Sequence, residues 1–277
     1  DINTRTAWYS KSVTGETSIG GAKGFDNTEN DDGSWSGVPL SFPIIQGADC
    51  CGEIVAVGGD INVERIGERV LVRTMQQYAV DYRPYECWTM GSECDGAFAQ
   101  YMVAFSEETY KIDSDWSDIE LASVPCAYST AENLLERSGV KANEVVLITG
   151  ASGGVGSAAV QLAKRRGANV IAISSKEKAS QVQEIGADQV INREDKLKDS
   201  IESESVDVVI DLVAGKEWGN LLEVLKRGGR YAAAGAIAGP IVELDVRTLY
   251  LKDLVLSFFQ SRRVVNLELY YVAQAYS

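Results

Sequence analysis

Residues Val145–Gly156 read V-V-L-I-T-G-A-S-G-G-V-G, and the chain continues S-A-A-V-Q-L-A-K-R-R to Gly167. Val145–Thr149 is an uncharged run of β-branched and apolar residues, the pattern of a strand covered on both faces. Val155–Arg166 repeats with helical spacing and puts Val155, Ala159, Leu162 and Ala163 on one side, with Gly167 where a helix closes. Between strand and helix stand Gly150, Gly153, Gly154 and Gly156. Glycines there allow a tight turn and let backbone N–H groups approach a pyrophosphate, to which the helix N-terminus adds favourable partial charge. Such a turn also closes βα units that bind nothing, so the weight comes from context. With strand, helix and a further βα unit in place, the stretch reads as a dinucleotide-binding turn.

Outward from this turn the pattern repeats. Asn169–Ile173 is the next expected strand, followed by a helix over Lys178–Ile185 with Gly186 as its stop. Val206–Leu212, Arg230–Ala236 and Leu254–Phe259 supply three more strands, with a helix at Trp218–Leu225 between the first two. This βαβ repetition demands a parallel sheet with helices on both faces. An NAD site usually offers an acidic side chain at the end of its second strand. Here that place holds Ser174-Ser175-Lys176, with Lys178 and Arg193 nearby in sequence. Hydroxyls and cations suit a 2′-phosphate, so NADP(H) is expected over NAD(H). Glu177 is the one dissonant residue, read as pointing to solvent.

Residues 1–118 have another texture. Val55, Val57, Val70, Leu71 and Val72 lie in short apolar runs bounded by Gly47, Gly52, Gly58, Gly59 and Gly67, the punctuation of a small β-barrel. Thr14–Gly37 is almost free of apolar residues and reads as a long surface loop, with Trp35 either a lid anchor or packed on its neighbours.

The whole chain has 277 residues, 45% hydrophobic and 24% charged, enough for two cored domains. Its formal charge of −14 argues against nucleic acid or an anionic membrane as partner. No stretch reaches the roughly 20 apolar residues of a membrane span, since Lys252 and Asp253 interrupt the best candidate. Histidine is absent, which removes Ser-His-Asp and Cys-His catalysis and the commonest zinc ligand. Five cysteines without framework spacing read as reduced thiols of a cytoplasmic protein.

The glycine string also fits the opening motif of short-chain dehydrogenases, but no tyrosine here is followed by lysine four residues on, and that family's acid pair is therefore missing. The order of barrel half, then glycine-rich βαβ half, resembles instead the medium-chain dehydrogenase/reductase superfamily, in its zinc-independent, quinone oxidoreductase-like branch. The resemblance rests on Asp1–Tyr9, Gly47–Gly58 (G-A-D-C-C-G-E-I-V-A-V-G), Gly67-Glu68-Arg69-Val70, Gly96–Tyr101, Thr130-Ala131, Val146–Lys164, Gly186-Ala187-Asp188, Asp207–Asp211 and Gly228–Gly235. It implies a GroES-like β-barrel catalytic domain over 1–118 and a Rossmann NADP-binding domain, a doubly wound parallel sheet, over 119–277. Relatives have residues before the stretch matching Asp1 and return to the barrel at their end. This chain begins without Met and stops at a helix-like Asn266–Ser277, so both ends are expected to be incomplete.

Zinc members of the superfamily carry a first ligand upstream of the position of Asp1, a His-Glu pair where this chain has Ala48-Asp49, and a third ligand where it has Cys126. A catalytic zinc takes three protein ligands, so two are too few. Their structural zinc lobe has four cysteines, and the matching region has Cys87 and Cys94 alone. Cys50 and Cys51 are strand neighbours facing opposite ways. No zinc is expected. Alcohol oxidation then lacks its Lewis acid, and conjugated carbonyls, enones or quinones, become the expected small-molecule substrates.

By resemblance Tyr9 lies beside the nicotinamide as the candidate proton donor, with bulk water its rival. Thr130 contacts the cofactor, and Ser152, Gly153, Gly154 and Val155 form the pyrophosphate turn. Ser174, Lys178 and Arg193 meet the 2′-phosphate, and Gly235, Ala236 and Phe259 flank the nicotinamide. Tyr9 also reads as barrel packing and Arg193 as a solvated charge. The resemblance further implies a homodimer joined along the apolar edge strand Leu254–Phe259. Two other readings stand beside this one: a zinc-dependent alcohol dehydrogenase of the same superfamily, and a non-catalytic NADPH-binding module.

Overall fold

Arg69–Val72 buries three of its four side chains, Val70, Leu71 and Val72, because it is the central strand of an antiparallel sheet. In the computed structural model, which describes residues 1–10, 13–17 and 40–258, the chain divides into two units. One contains the described residues 1–10, 13 and 40–129, the other 14–17 and 130–258.

The first unit opens with a single helical turn, α1 (Ile2–Arg5), where strands and turns were expected. Four residues are too few to show a period, and local bonds such as Thr6 N–H to the Ile2 carbonyl at 2.9 Å decide it. The sheet has the order β1 (Cys50–Glu53), β2 (Arg69–Val72), β5 (Thr109–Lys111), with Cys50 opposite Val72 and Val70 opposite Lys111. Leu71, Ile112 and Leu121 form its core, and Cys51 and Trp116 pack against them. Val55 and Val57, expected within strands, follow β1 instead. The ladder closes at Ile54, which donates to the Glu68 carbonyl and accepts from Gly67 N–H, a glycine at φ +87°. A separate two-stranded ladder, β3 (Met75–Gln76) with β4 (Trp88–Thr89), carries buried Cys87 against the Met75 sulfur at 3.8 Å. Arg73 and Glu108 are buried together, 3.3 Å apart, and Glu108 Oε1 accepts the N–H groups of Gln77 and Tyr78. Helix α2 (Asp118–Ala122) starts in a capping box of Ser117 and Glu120. The next helix, α3 (Pro125–Arg137), contains the division between the units, at Ser129 and Thr130.

The second unit is a six-stranded sheet in which every described pair is parallel. Its order is β8 (Gln189–Asn192), β7 (Asn169–Ser174), β6 (Val145–Ile148), β9 (Val206–Asp211), β10 (Leu225–Ala233), β11 (Val255–Phe258). Strand order reverses between β6 and β9, the switch point outside whose carboxyl ends open α/β sheets bind ligands. Helix α4 (Gly154–Arg165) buries Val160 and Leu162 together with Gly156, Ala158, Ala159 and Ala163, small residues that let it lie close to the sheet. Gly167 at φ +79° ends it. After β7 comes α5 (Ala179–Glu184), then α6 (Leu197–Ser200), α7 (Trp218–Val224) and α8 (Val246–Lys252). One core joins Leu147, Val209, Trp218, Leu221, Leu222 and Tyr231. Burying six or so such side chains contributes on the order of 10 kcal/mol before entropy.

Sequence and structure differ at element ends. Ser174 belongs to β7, because its backbone pairs with Asn192 of β8, a strand the periodicity did not reveal. Strand β10 begins at Leu225, five residues early, where a register shift past Gly228 and Gly229 lets both halves pair with β9. Phe259, most of the 14–37 loop with Trp35, and Asn266–Ser277 lie outside the described residues.

Candidate cofactor-binding site

Strand β6 ends at Ile148, and the next eight residues build the turn. Gly150 takes φ +60°, a left-handed conformation that costs a residue with a Cβ about 1–2 kcal/mol. Gly156 permits a close approach: a Cβ there would stand 2.2 Å from the Gly150 carbonyl oxygen and 2.8 Å from Ala151 Cα. Gly153 is the N-cap of α4 in extended conformation, and Gly153 and Gly154 are exposed. First-turn N–H groups of a helix have no partner within it. The turn therefore offers the donors of Gly154, Val155 and Gly156 at the positive end of a twelve-residue helix. Ser152 stands half-buried at its edge.

The neighbouring strand brings a second group of expected residues together. Ser174 is buried at the end of β7; its hydroxyl donates to the Ser175 carbonyl at 3.1 Å and its own carbonyl accepts Arg193 N–H at 2.8 Å. Lys178 and Arg193 are exposed, and Lys178 N–H donates to the Ser175 carbonyl at 3.1 Å. Glu177 is exposed but not simply turned to solvent. Its carboxylate is held below the ordinary range by its own backbone N–H, by the Ser175 hydroxyl and by the nearby charge of Arg193. That acid stands among the groups expected to meet a phosphate, and its position was not legible in the sequence.

The third group lies at the ends of β9 and β10. A Cβ on Gly235 would stand 2.4 Å from the Leu212 carbonyl oxygen, so only glycine fits there. Ala236 follows, half-buried. Asp211, which the sequence placed in a matching stretch without a role, is fully buried and accepts from Thr149, Val213, Ala214 and Tyr231. Thr130 lies half-buried in α3. The residues around the glycine turn thus form a cradle that fits a dinucleotide: free helix-terminal donors, space kept by glycines, and hydroxyl and cationic side chains at the next strand's end.

Tyr9 belongs to the first unit. Burial pushes its phenol far above the ordinary value, opposed by a hydrogen bond with Asn3 and reinforced by Cys126. Asp49 is likewise raised by burial, opposed by the Cys126 N–H, which donates to Asp49 Oδ1 at 2.7 Å. Acidic residues near Cys94 are engaged by backbone: Asp95 accepts Ile45 N–H at 2.9 Å, and Glu93 accepts Thr89 N–H at 2.9 Å. Burial, then Glu93 and Asp95, push the Cys94 thiol up to about 11. No group of three or more His, Cys, Asp or Glu side chains is arranged to hold a metal among the described residues.

Two family models match the chain: the alcohol dehydrogenase GroES-like domain over residues 16–114 and the zinc-binding dehydrogenase over 154–269. A quinone oxidoreductase of Pongo abelii is 31% identical over 80% of this chain and 63% of its own length. An acryloyl-coenzyme A reductase of Metallosphaera sedula is 30% identical over 78% of this chain and 68% of its own. Among solved structures, a Sinorhizobium meliloti protein described provisionally as an alcohol dehydrogenase superposes with a TM-score of 0.79. Its identity is 42%, covering 85% of this chain and 66% of that one. The chain thus spans about two thirds of the length of these relatives, 63% of the first. With the βαβ order, the switch-point turn and these matches in agreement, the chain belongs to the medium-chain dehydrogenase/reductase superfamily, in its quinone oxidoreductase-like branch.

Proposed function

We propose that the protein is an NADP(H)-dependent oxidoreductase that reduces conjugated carbonyls, enones or quinones, without zinc. The observation that carries this is the cradle at the switch point, where the Thr149–Gly156 turn opens α4, Ser174 ends the neighbouring strand β7, Lys178 lies in the turn after it and Arg193, just past β8, donates its N–H to the Ser174 carbonyl. When bound, NADPH supplies the hydride that reduces the conjugated carbonyl. The backbone at Ser152, Gly153, Gly154 and Val155 binds the pyrophosphate, and Ser174, Lys178 and Arg193 bind the 2′-phosphate by charge-assisted hydrogen bonds. Thr130 contacts the cofactor, and Gly235 and Ala236 flank the nicotinamide. Tyr9 acts as a neutral phenol: the burial that raises it makes it a hydrogen-bond donor to a developing oxyanion, with the proton itself coming from water.

The residues of this chain at the positions resembling zinc ligands supply two donors at best, the Asp49 carboxylate and the Cys126 thiol, because Ala48 has none, whereas a catalytic zinc takes three. The relatives' names, a quinone oxidoreductase and an acryloyl-coenzyme A reductase, support a conjugated substrate. A homodimer joined along the β11 edge and a cytoplasmic setting complete the proposal.

Titration of the protein with NADPH and NADH, metal analysis of the same sample and an enone and quinone screen test it. The expected result is NADPH bound about tenfold or more tighter than NADH, zinc well below one equivalent, and NADPH consumed with a conjugated carbonyl. Stoichiometric zinc with alcohol oxidation would replace this reading by the zinc alcohol dehydrogenase. Tight NADPH binding with no turnover across the screen would leave a binding module.

A further inference from the structure

Asp211 is the last residue of β9 and has no exposed surface. Its carboxyl group lies where the ends of three strands meet, and every contact it makes there is an accepted hydrogen bond. Oδ1 accepts the Thr149 hydroxyl at 2.5 Å and the Val213 N–H at 2.9 Å. The Ala214 N–H is shared between both oxygens at 3.1 Å, and the Tyr231 hydroxyl donates to Oδ2. The Thr149 hydroxyl in turn accepts the Leu212 N–H at 2.9 Å.

Both sides of this node are unusual backbone. Thr149 leads into Gly150 at φ +60°, whose Cβ position would face Val213 Cγ2 at 3.3 Å. On the other side Ala214 takes φ +53° without being glycine, and the Val213 carbonyl accepts Ala238 N–H at 2.9 Å. Gly215 abuts Ala238 so closely that a Cβ would stand 2.7 Å from its carbonyl oxygen. Burying a carboxyl group is unfavourable against an apolar filler of the same shape. What it provides here is a fixed set of acceptors for two backbone N–H groups and two hydroxyls from separate strands.

We propose that Asp211 is a positioning residue for the dinucleotide, holding the Thr149–Gly150 turn and the Val213–Gly215 loop in one register. The pyrophosphate turn and Gly235-Ala236, expected beside the nicotinamide and leading to Ala238, then keep a constant separation. This rests on the dinucleotide reading of the glycine turn.

Asp211→Ala tests it in the full chain, because it removes the acceptor of the Val213 and Ala214 N–H groups, which the amide oxygen of Asn would keep. Two measurements are paired: binding of NADPH and of adenosine 2′-monophosphate, and amide hydrogen exchange without ligand. The expected variant binds NADPH about tenfold more weakly and keeps its affinity for adenosine 2′-monophosphate, which reaches only the Ser174 side. Exchange at Val213–Gly215 and Thr149–Gly153 quickens while Val170–Ile173 stays protected. Tyr231→Phe, which removes one donor and leaves Asp211 in place, gives the same pattern at smaller size and decides the matter should the first variant not fold. Unchanged exchange at the loop and turn overturns the proposal, as does an equal loss for both ligands. Wild-type protein that binds neither NADPH nor NADH overturns the dinucleotide reading and this role together.

Discussion

Asp49 and Cys126 stand 77 residues apart, and Asp49 Oδ1 accepts the Cys126 backbone N–H at 2.7 Å. The side chain of Asp49 and the backbone of Cys126, the two residues that the resemblance sets at metal-ligand positions of zinc relatives, are thus tied to each other. Burial raises Asp49 above its ordinary value of 3.8. A raised carboxyl favours the folded state while protonated and opposes it as pH rises through and beyond 3.8. Asp49→Asn keeps the accepted bond and drops the charge. It should raise the melting temperature by about 2 °C at pH 7, with the gain vanishing near pH 4; thermal melts across that range check it.

Gly156→Ala should be the most damaging single-methyl change in the cofactor turn. The added Cβ meets the Gly150 carbonyl oxygen at 2.2 Å, and backbone must move to relieve it. The expected loss is about 3 kcal/mol of stability, with NADPH binding falling below detection in a fluorescence titration of the folded fraction.

Charge at the end of β7 should set cofactor choice. Lys178→Glu is expected to weaken NADPH about 30-fold, because a charge-assisted hydrogen bond to the 2′-phosphate gives way to repulsion, and to change NADH less than about twofold. Glu177→Gln should act oppositely and tighten NADPH about twofold, because its carboxylate shares Ser175 and the field of Arg193 with the phosphate. Equal changes for both cofactors would show that neither residue reads the 2′-phosphate.

Glu108 and Arg73 are both buried, with side chains 0% and 4% exposed. Glu108→Ala leaves the guanidinium without its carboxylate and frees the N–H groups of Gln77 and Tyr78. Urea unfolding should show a loss of about 3–5 kcal/mol.

Among the described residues β11 pairs on one side alone, and this apolar edge exposes Val255 (56%) and Phe258 (64%). Val255→Lys should convert the proposed dimer to monomer in sedimentation at micromolar concentration. A wild-type monomer under the same conditions would remove the edge as an interface.

Much of the second unit was legible in sequence because its information is local. Val145–Thr149 cannot be half-solvated, four glycines in seven residues admit few turns, and Val155–Arg166 repeats at 3.6. Those facts alone determined a dinucleotide-type βαβ unit. Three-dimensional packing decided what no period encodes. Gln189–Asn192 is a strand because Ser174 pairs with Asn192, and Glu177 stays beside Arg193 because the Ser175 hydroxyl holds it. Asp211 meets Thr149, 62 residues earlier, and Tyr231, 20 later, because β6, β9 and β10 are laid side by side. Hydrogen bonds between strand ends depend on strand order, and strand order is a property of the assembled sheet, so a buried carboxyl group could be counted in the sequence but not placed.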